Sequence, residues 1–189
     1  MSPDANWKGM RVEAIMMEMT ADDFWRFSLD RYSRDGVSDM CLELQDHAGA
    51  DVNIVLLCLW SGLASRSISR PQLSQLIEGE AGRWHRDIVL PLRAARTAMK
   101  GRSIAGEVSG VESLRDQIKR VEIESERWEQ RSLVAALAQF AQNPSSEGGE
   151  DSQADIALEN LGTYLHLIAP DKLNGNKQML GRLVEACIS

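Results

Sequence analysis

Apolar positions crowd most densely between Asp51 and Ala64, DVNIVLLCLWSGLA, where Val52 to Trp60 is apolar except for Asn53. A helix that is apolar on nearly every face must be buried on nearly every face. The stretch is interrupted by Ser61 and Gly62, and it falls short of the about 20 apolar residues needed to cross a bilayer. It therefore predicts the central helix of a helical domain, with Asp51 as its N-cap.

Around this stretch the apolar positions recur at helical spacing. Thr20 is a good N-cap, with Asp22 and Asp23 in the first turn, where negative charge is favourable. Phe24, Phe27, Leu29 and Tyr32 then form an apolar face, with Trp25 beside it. Gly36 is expected to close this helix and Ser38 to cap the next, which carries Met40, Cys41, Leu44 and Ala48 and ends at Gly49. Helices joined by such short turns must pack as neighbours. Ser69-Arg70-Pro71 opens another, with proline near the first helical position, where its missing N–H costs little; Leu73, Leu76 and Ile77 face inward. The next runs from about Glu80 to Lys100, and Pro91 inside it is expected to kink or divide it.

Beyond a glycine-containing connection, Val111 to Gln142 is the longest helical run. Val111, Leu114, Ile118 and Val121 keep a 3,4 spacing, Trp128 resumes it after Ser125, and from Leu133 the stripe moves to a new seam with Leu137 and Phe140. Unbroken heptads are lacking, which predicts a hairpin arm or bundle helix rather than a coiled coil. Residues 143–155, rich in Ser, Gly and acid, read as a flexible loop. Two helices follow, marked by Ile156, Leu158, Leu161, Leu165 and Ile168, and by Leu180, Leu183, Val184 and Cys187, with Pro170 between them. The predicted fold is all-α: one domain over 20–189, a bundle of seven or eight helices around residues 51–64. A methionine-rich tail, 1–19, is expected to be poorly ordered.

Composition adds an asymmetry. The 189-residue chain carries a net charge of −7, which argues against nucleic acid as a partner. Between Arg66 and Arg102, however, eight Lys/Arg face three Asp/Glu, so the remainder holds −12. Cys41, Cys58 and Cys187 form no metal-binding spacing, and two of them lie among apolar neighbours, as expected of buried reduced thiols in a cytoplasmic protein. The first twenty residues lack the apolar run of a signal peptide.

Three groups could carry chemistry. Gln45, Asp46, His47, Asp51 and Asn53 flank one short turn. A carboxylate beside an imidazole suits a general base, and the same atoms could hold a hard cation. The plainer reading is structural: Asp51 caps a helix, and Asn53 satisfies a buried backbone group. Arg83, Arg86, Arg93 and Arg96, continued by Lys100 and Arg102, offer guanidinium forks to a phosphate, a carboxylate or an acidic partner segment. The plainer reading pairs them with Glu78, Glu80, Asp87 or the acidic loop. Trp84, with Ile88 one turn on, reads as core. Glu112 to Arg131 reads as a solvated charged face or a partner-binding arm. Nucleotide loops, a nucleophile elbow, HExxH and Glu-x-x-His are all missing, so no spacing implies a cofactor or a metal.

The segment FWRFSLDRYSRDGVSDMCLELQDHAGADVNIVLLCLWSG, with its FWxFSL…LQD…DVNxxLLCLW pattern, resembles a family of uncharacterised, mostly proteobacterial proteins. The similarity continues through Trp84, Val89 to Arg93 and Arg96, spanning roughly Phe24 to Leu137. The resemblance implies a small helical cytoplasmic protein and supplies no catalytic residue. The leading expectation is a non-enzymatic binding or adaptor protein that uses the arginine face at 83–102, with a protein partner or self-association through the 111–140 helix. The alternative is a small enzyme, or a metal- or phosphate-ligand-binding protein, with a polar pocket at Gln45–Asn53.

Overall fold

The computed structural model describes residues 20–141 and 152–188. The tail at 1–19 and most of the acidic loop lie outside the described residues. The described chain is all-helical: α1 (Ala21–Tyr32), α2 (Val37–Ala48), α3 (Val52–Leu63), α4 (Arg70–Glu78), α5, α6 (Ser109–Ala141), α7 (Gln153–Ile168) and α8 (Leu173–Ile188). Helix α5 is one rod in three segments: α-helical Glu80–Trp84, a π-turn at His85–Val89, and α-helical Leu90–Ala98. Among the described residues no helix is long and apolar enough to cross a membrane.

Local chemistry sets most of the boundaries. Thr20 and Asp23 make a reciprocal capping box at α1, and Ser69 with Gln72 makes another at α4. Asp51 caps α3 by accepting from the Asn53 N–H. Gly36 takes a left-handed φ of 76° and is the N-cap of α2, so it does not close α1, which ends at Ser33. Gly49, at φ 69°, closes α2 in the left-handed geometry that glycine adopts without strain. Ser152 and Asp155 form a capping box at the start of α7, so the helix begins inside the segment read as loop to residue 155.

Helix α3 is the centre. Ile54 to Leu59 are all buried, as are Ser61 and Gly62. Ser61 and Gly62 do not break the helix; they let it be approached. A Cβ on Gly62 would fall inside van der Waals distance of the Ala157 backbone, so α7 lies directly on α3 there. Asn160 on α7 then ties down the chain leaving α3: its Oδ1 accepts from Ile68 N–H (2.8 Å), and its Nδ2 donates to Arg66 O (3.0 Å) and Cys58 O (3.3 Å). Helices α1, α2, α6 and α8 close the other sides of α3. Arg34 donates to the Ala186 and Cys187 carbonyls at the end of α8, where cationic charge is favourable.

The C-terminal part of α5 and the N-terminal half of α6 pack together as an antiparallel arm, its turn formed by residues 99–108. Pro91 causes the irregularity expected of it, but one turn earlier. Proline has no N–H and crowds the carbonyl four residues back. The preceding turn widens, and the Leu90 N–H bonds to His85 O, five residues back. The extra residue turns the helix by about 100° relative to an unbroken α-helix. His85, Val89, Arg93 and Arg96 thereby share the face that meets α6.

Candidate functional site

That shared face meets carboxylates. Glu122, Ser125, Glu129 and Gln130 of α6 are all buried, with Glu129 wholly so. They continue backward the phase of Leu133 and Leu137, which sit in the apolar core. The run Glu112–Arg131 is thus not a solvated face throughout: its second half turns polar side chains inward.

The buried centre forms where α3, α5 and α6 meet. His85 Nδ1 lies 3.2 Å from Asp51 Oδ2 and 3.2 Å from Glu129 Oε2. Asn53 Nδ2 donates to Glu129 Oε2 (3.0 Å), while Asn53 Oδ1 accepts from Gln130 Nε2 (2.8 Å), which also reaches Ser28 Oγ (3.1 Å). The Asp51 N–H donates to the Tyr164 hydroxyl at 2.8 Å. Glu129 Oε1 and Gln130 Oε1 are buried with no hydrogen-bond partner. Burial pushes the Asp51 carboxyl well above the usual range, and the charge and hydrogen bond of Glu129 add to it; His85 and the Asn53 N–H pull the other way. Burial also raises Glu129, against hydrogen bonds from Asp51 and Asn53. Two carboxylates of one charge have been brought together out of water, and the pair holds protons more tightly than either group alone.

A second layer lies farther along the same two helices. Arg93 Nε donates to Glu122 Oε1 (3.1 Å) and Arg93 Nη2 to Glu126 Oε1 (2.6 Å); Arg93 Nη1 reaches Gln45 Oε1. Arg96 makes a two-pronged contact with Glu122 through Nε and Nη2. Burial works against the Glu122 charge, but its hydrogen bonds to Arg96 and Arg93 outweigh it, and the carboxyl sits below its ordinary value.

The residues singled out from sequence are therefore redistributed. Asp51 and Asn53 enter the buried centre. Asp46 and His47 do not: both are exposed, and His47 Nδ1 faces the Glu43 carbonyl of its own helix. Gln45 joins the arginine layer. Arg93 and Arg96 are held by α6, not by Glu78, Glu80 or Asp87. Arg83 and Arg86 turn back to the Glu78 and Ile77 carbonyls. Trp84 is not core; it is 37% exposed and donates from Nε1 to Ser125 O at 2.9 Å. The sequence reading missed His85, Glu122, Glu126, Glu129, Gln130 and Tyr164 as members of these clusters. The one available signal was the helical phase linking Leu137 and Leu133 back to Glu129 and Glu122.

The outer side of the arm has a different character. Leu114, Val121 and Trp128 recur every seven residues along α6, and all are about half exposed. Trp128 and Trp84 line one groove with Glu80, Arg131 and Ser132, and the Arg131 guanidinium lies over the Trp128 ring at 4.7 Å.

Comparison with curated proteins and with solved structures finds no match. Comparison with family models matches residues 23–133 to one described as "Protein of unknown function (DUF2390)".

Proposed function

Since this chain belongs to the DUF2390 family of proteins of unknown function, we propose a function from its own surface: it is an interaction protein that self-associates through the outer face of the α5–α6 arm. The observation that carries this reading is the exposed seam Leu114, Val121, Trp128. Apolar residues at a seven-residue period are the pattern by which one helix packs lengthwise on another.

The spacing favours a second copy. Leu114 and Trp128 stand seven residues either side of Val121. A two-fold axis at Val121 sets two antiparallel α6 helices together, with each Leu114 against the other copy's Trp128 and its groove. Arg120 and Glu124, both exposed and on the same outer flank of the seam, then meet their opposite charges across the axis. Such a contact is isologous and closes as a dimer. Arg93 and Arg96 support the reading indirectly. Their acidic partner is the chain's own α6, so they stiffen the arm that presents the seam.

Light scattering on purified protein tests this. The expected result is twice the chain mass at micromolar concentration, with Val121→Glu reduced to one chain and unchanged in helicity, because the side chain is 54% exposed. Arg120→Glu should weaken the dimer, and adding Glu124→Arg should restore it. A wild-type chain that stays monomeric at several hundred micromolar overturns the proposal.

A further inference from the structure

We propose that Asp51, His85 and Glu129 bind a divalent first-row transition-metal ion, of which Zn²⁺ is the test case. One ligand atom from each side chain can be chosen so that all three lie within 4.8 Å of one another. The side chains are 8%, 12% and 0% exposed. This is not merely an acidic cluster, because an imidazole nitrogen stands equidistant from the two carboxylates.

An independent observation points to a missing partner. Glu129 Oε1 is wholly buried, belongs to the same carboxylate that touches His85 and Asn53, and bonds to nothing. Leaving such an oxygen unpaired is costly, and a cation seated among the three side chains would give this carboxylate the partner it lacks.

The supporting shell is also what a metal site needs. Asn53 holds Glu129, Gln130 holds Asn53, and Asp51 is fixed at the head of α3 by the Asn53 N–H and by Tyr164. Ligands held by such outer hydrogen bonds are already oriented. The set of one imidazole and two carboxylates, without thiolate, suits Zn²⁺, Mn²⁺, Fe²⁺ or Co²⁺; a copper(I) site would want sulfur, and Mg²⁺ or Ca²⁺ would want oxygen alone. Two carboxylate charges match one divalent ion. The three ligands come from three helices, so the ion would pin α3, α5 and α6 together, and the π-turn that aims His85 is a distortion often found at functional sites.

The experiment uses the full chain stripped with chelator, then titrated with Zn²⁺, Mn²⁺ and Mg²⁺ by calorimetry and thermal unfolding, with Co²⁺ as an optical probe. The expected result is one Zn²⁺ per chain, a rise in Tm, little response to Mg²⁺, and a Co²⁺ spectrum unlike that of the hydrated ion. His85→Gln and Glu129→Gln should each weaken binding at least tenfold, whereas His47→Ala, an exposed imidazole turned to the Glu43 carbonyl of its own helix, should leave it unchanged. X-ray absorption on the Zn²⁺-loaded wild type should show one imidazole and no sulfur, a readout that does not depend on the variants folding. The proposal is overturned if the stripped protein takes up no Zn²⁺, if the absorption spectrum shows sulfur, or if both variants bind as tightly as wild type.

Discussion

Arg93 and Arg96 look identical to surface arginines in the chain, yet each is about four-fifths buried and engaged by carboxylates. Truncating one half of a buried ion pair strands the other half, which costs more than the pair ever contributed. Arg93→Ala should therefore lower stability by about 2–3 kcal/mol, seen as a fall of roughly 4–12 °C in Tm by calorimetry. A change under 1 °C would mean the guanidinium is dispensable to the fold. Glu122 adds a pH signature. Its folded-state carboxyl lies below its ordinary value of 4.5. The stability it contributes is then fully present above that value and lost as pH falls through the lower, folded one. Measured from pH 6 down to pH 3, the Tm gap between wild type and Glu122→Gln should narrow. A gap that stays constant or widens would contradict the pairing.

At the scale of elements, glycine has opposite meanings in two helices that face each other. Gly62 in α3 sits against the Ala157 backbone, so Gly62→Ala must push α7 outward or bend α3. Overpacking of this kind costs about 1–3 kcal/mol. Gly162 in α7 has open space where its Cβ would be. Gly162→Ala should stabilise by about 0.5–1 kcal/mol, because alanine loses less backbone freedom on entering a helix. Denaturant unfolding of the two variants should give shifts of opposite sign. The π-turn in α5 is the other element-scale device. It absorbs Pro91 and sets His85 and Arg93 on one face, so one distortion serves both the buried centre and the arginine layer.

Over the whole molecule, the packing unit is larger than the family match. Residues 23–133 contain most of α1, all of α2 to α5 and most of α6, but the broadest cover of α3 comes from α7, which lies beyond them. Leu161, Tyr164 and Leu165 of α7 are buried in the same core as Leu57 and Leu59. A chain ending at residue 141 should therefore fail to fold cooperatively: it should bind a hydrophobic dye and show no sharp thermal transition. A sharp transition near the wild-type Tm would show that the first six helices are self-sufficient.

The all-α class, the burial of most of residues 51–64 and most helix starts were legible in the chain alone, because they depend on local causes: helical period, capping side chains and proline. Asp51 was readable as an N-cap for the same reason, as was the burial of Cys41 and Cys58 from their apolar neighbourhoods; Cys187 is buried as well. The site was legible only at Asp51 and Asn53. Its other members lie far away in sequence, His85 on α5 and Glu129 on α6, and nothing local distinguishes a carboxylate facing solvent from one facing a histidine. Tertiary packing decided that, because the direction of a charged side chain depends on which helix lies beside it. It also separated Asp46 and His47 from Asp51: the first two stand exposed on α2, whereas Asp51, across the turn at the head of α3, is buried where His85 of α5 and Glu129 of α6 meet it.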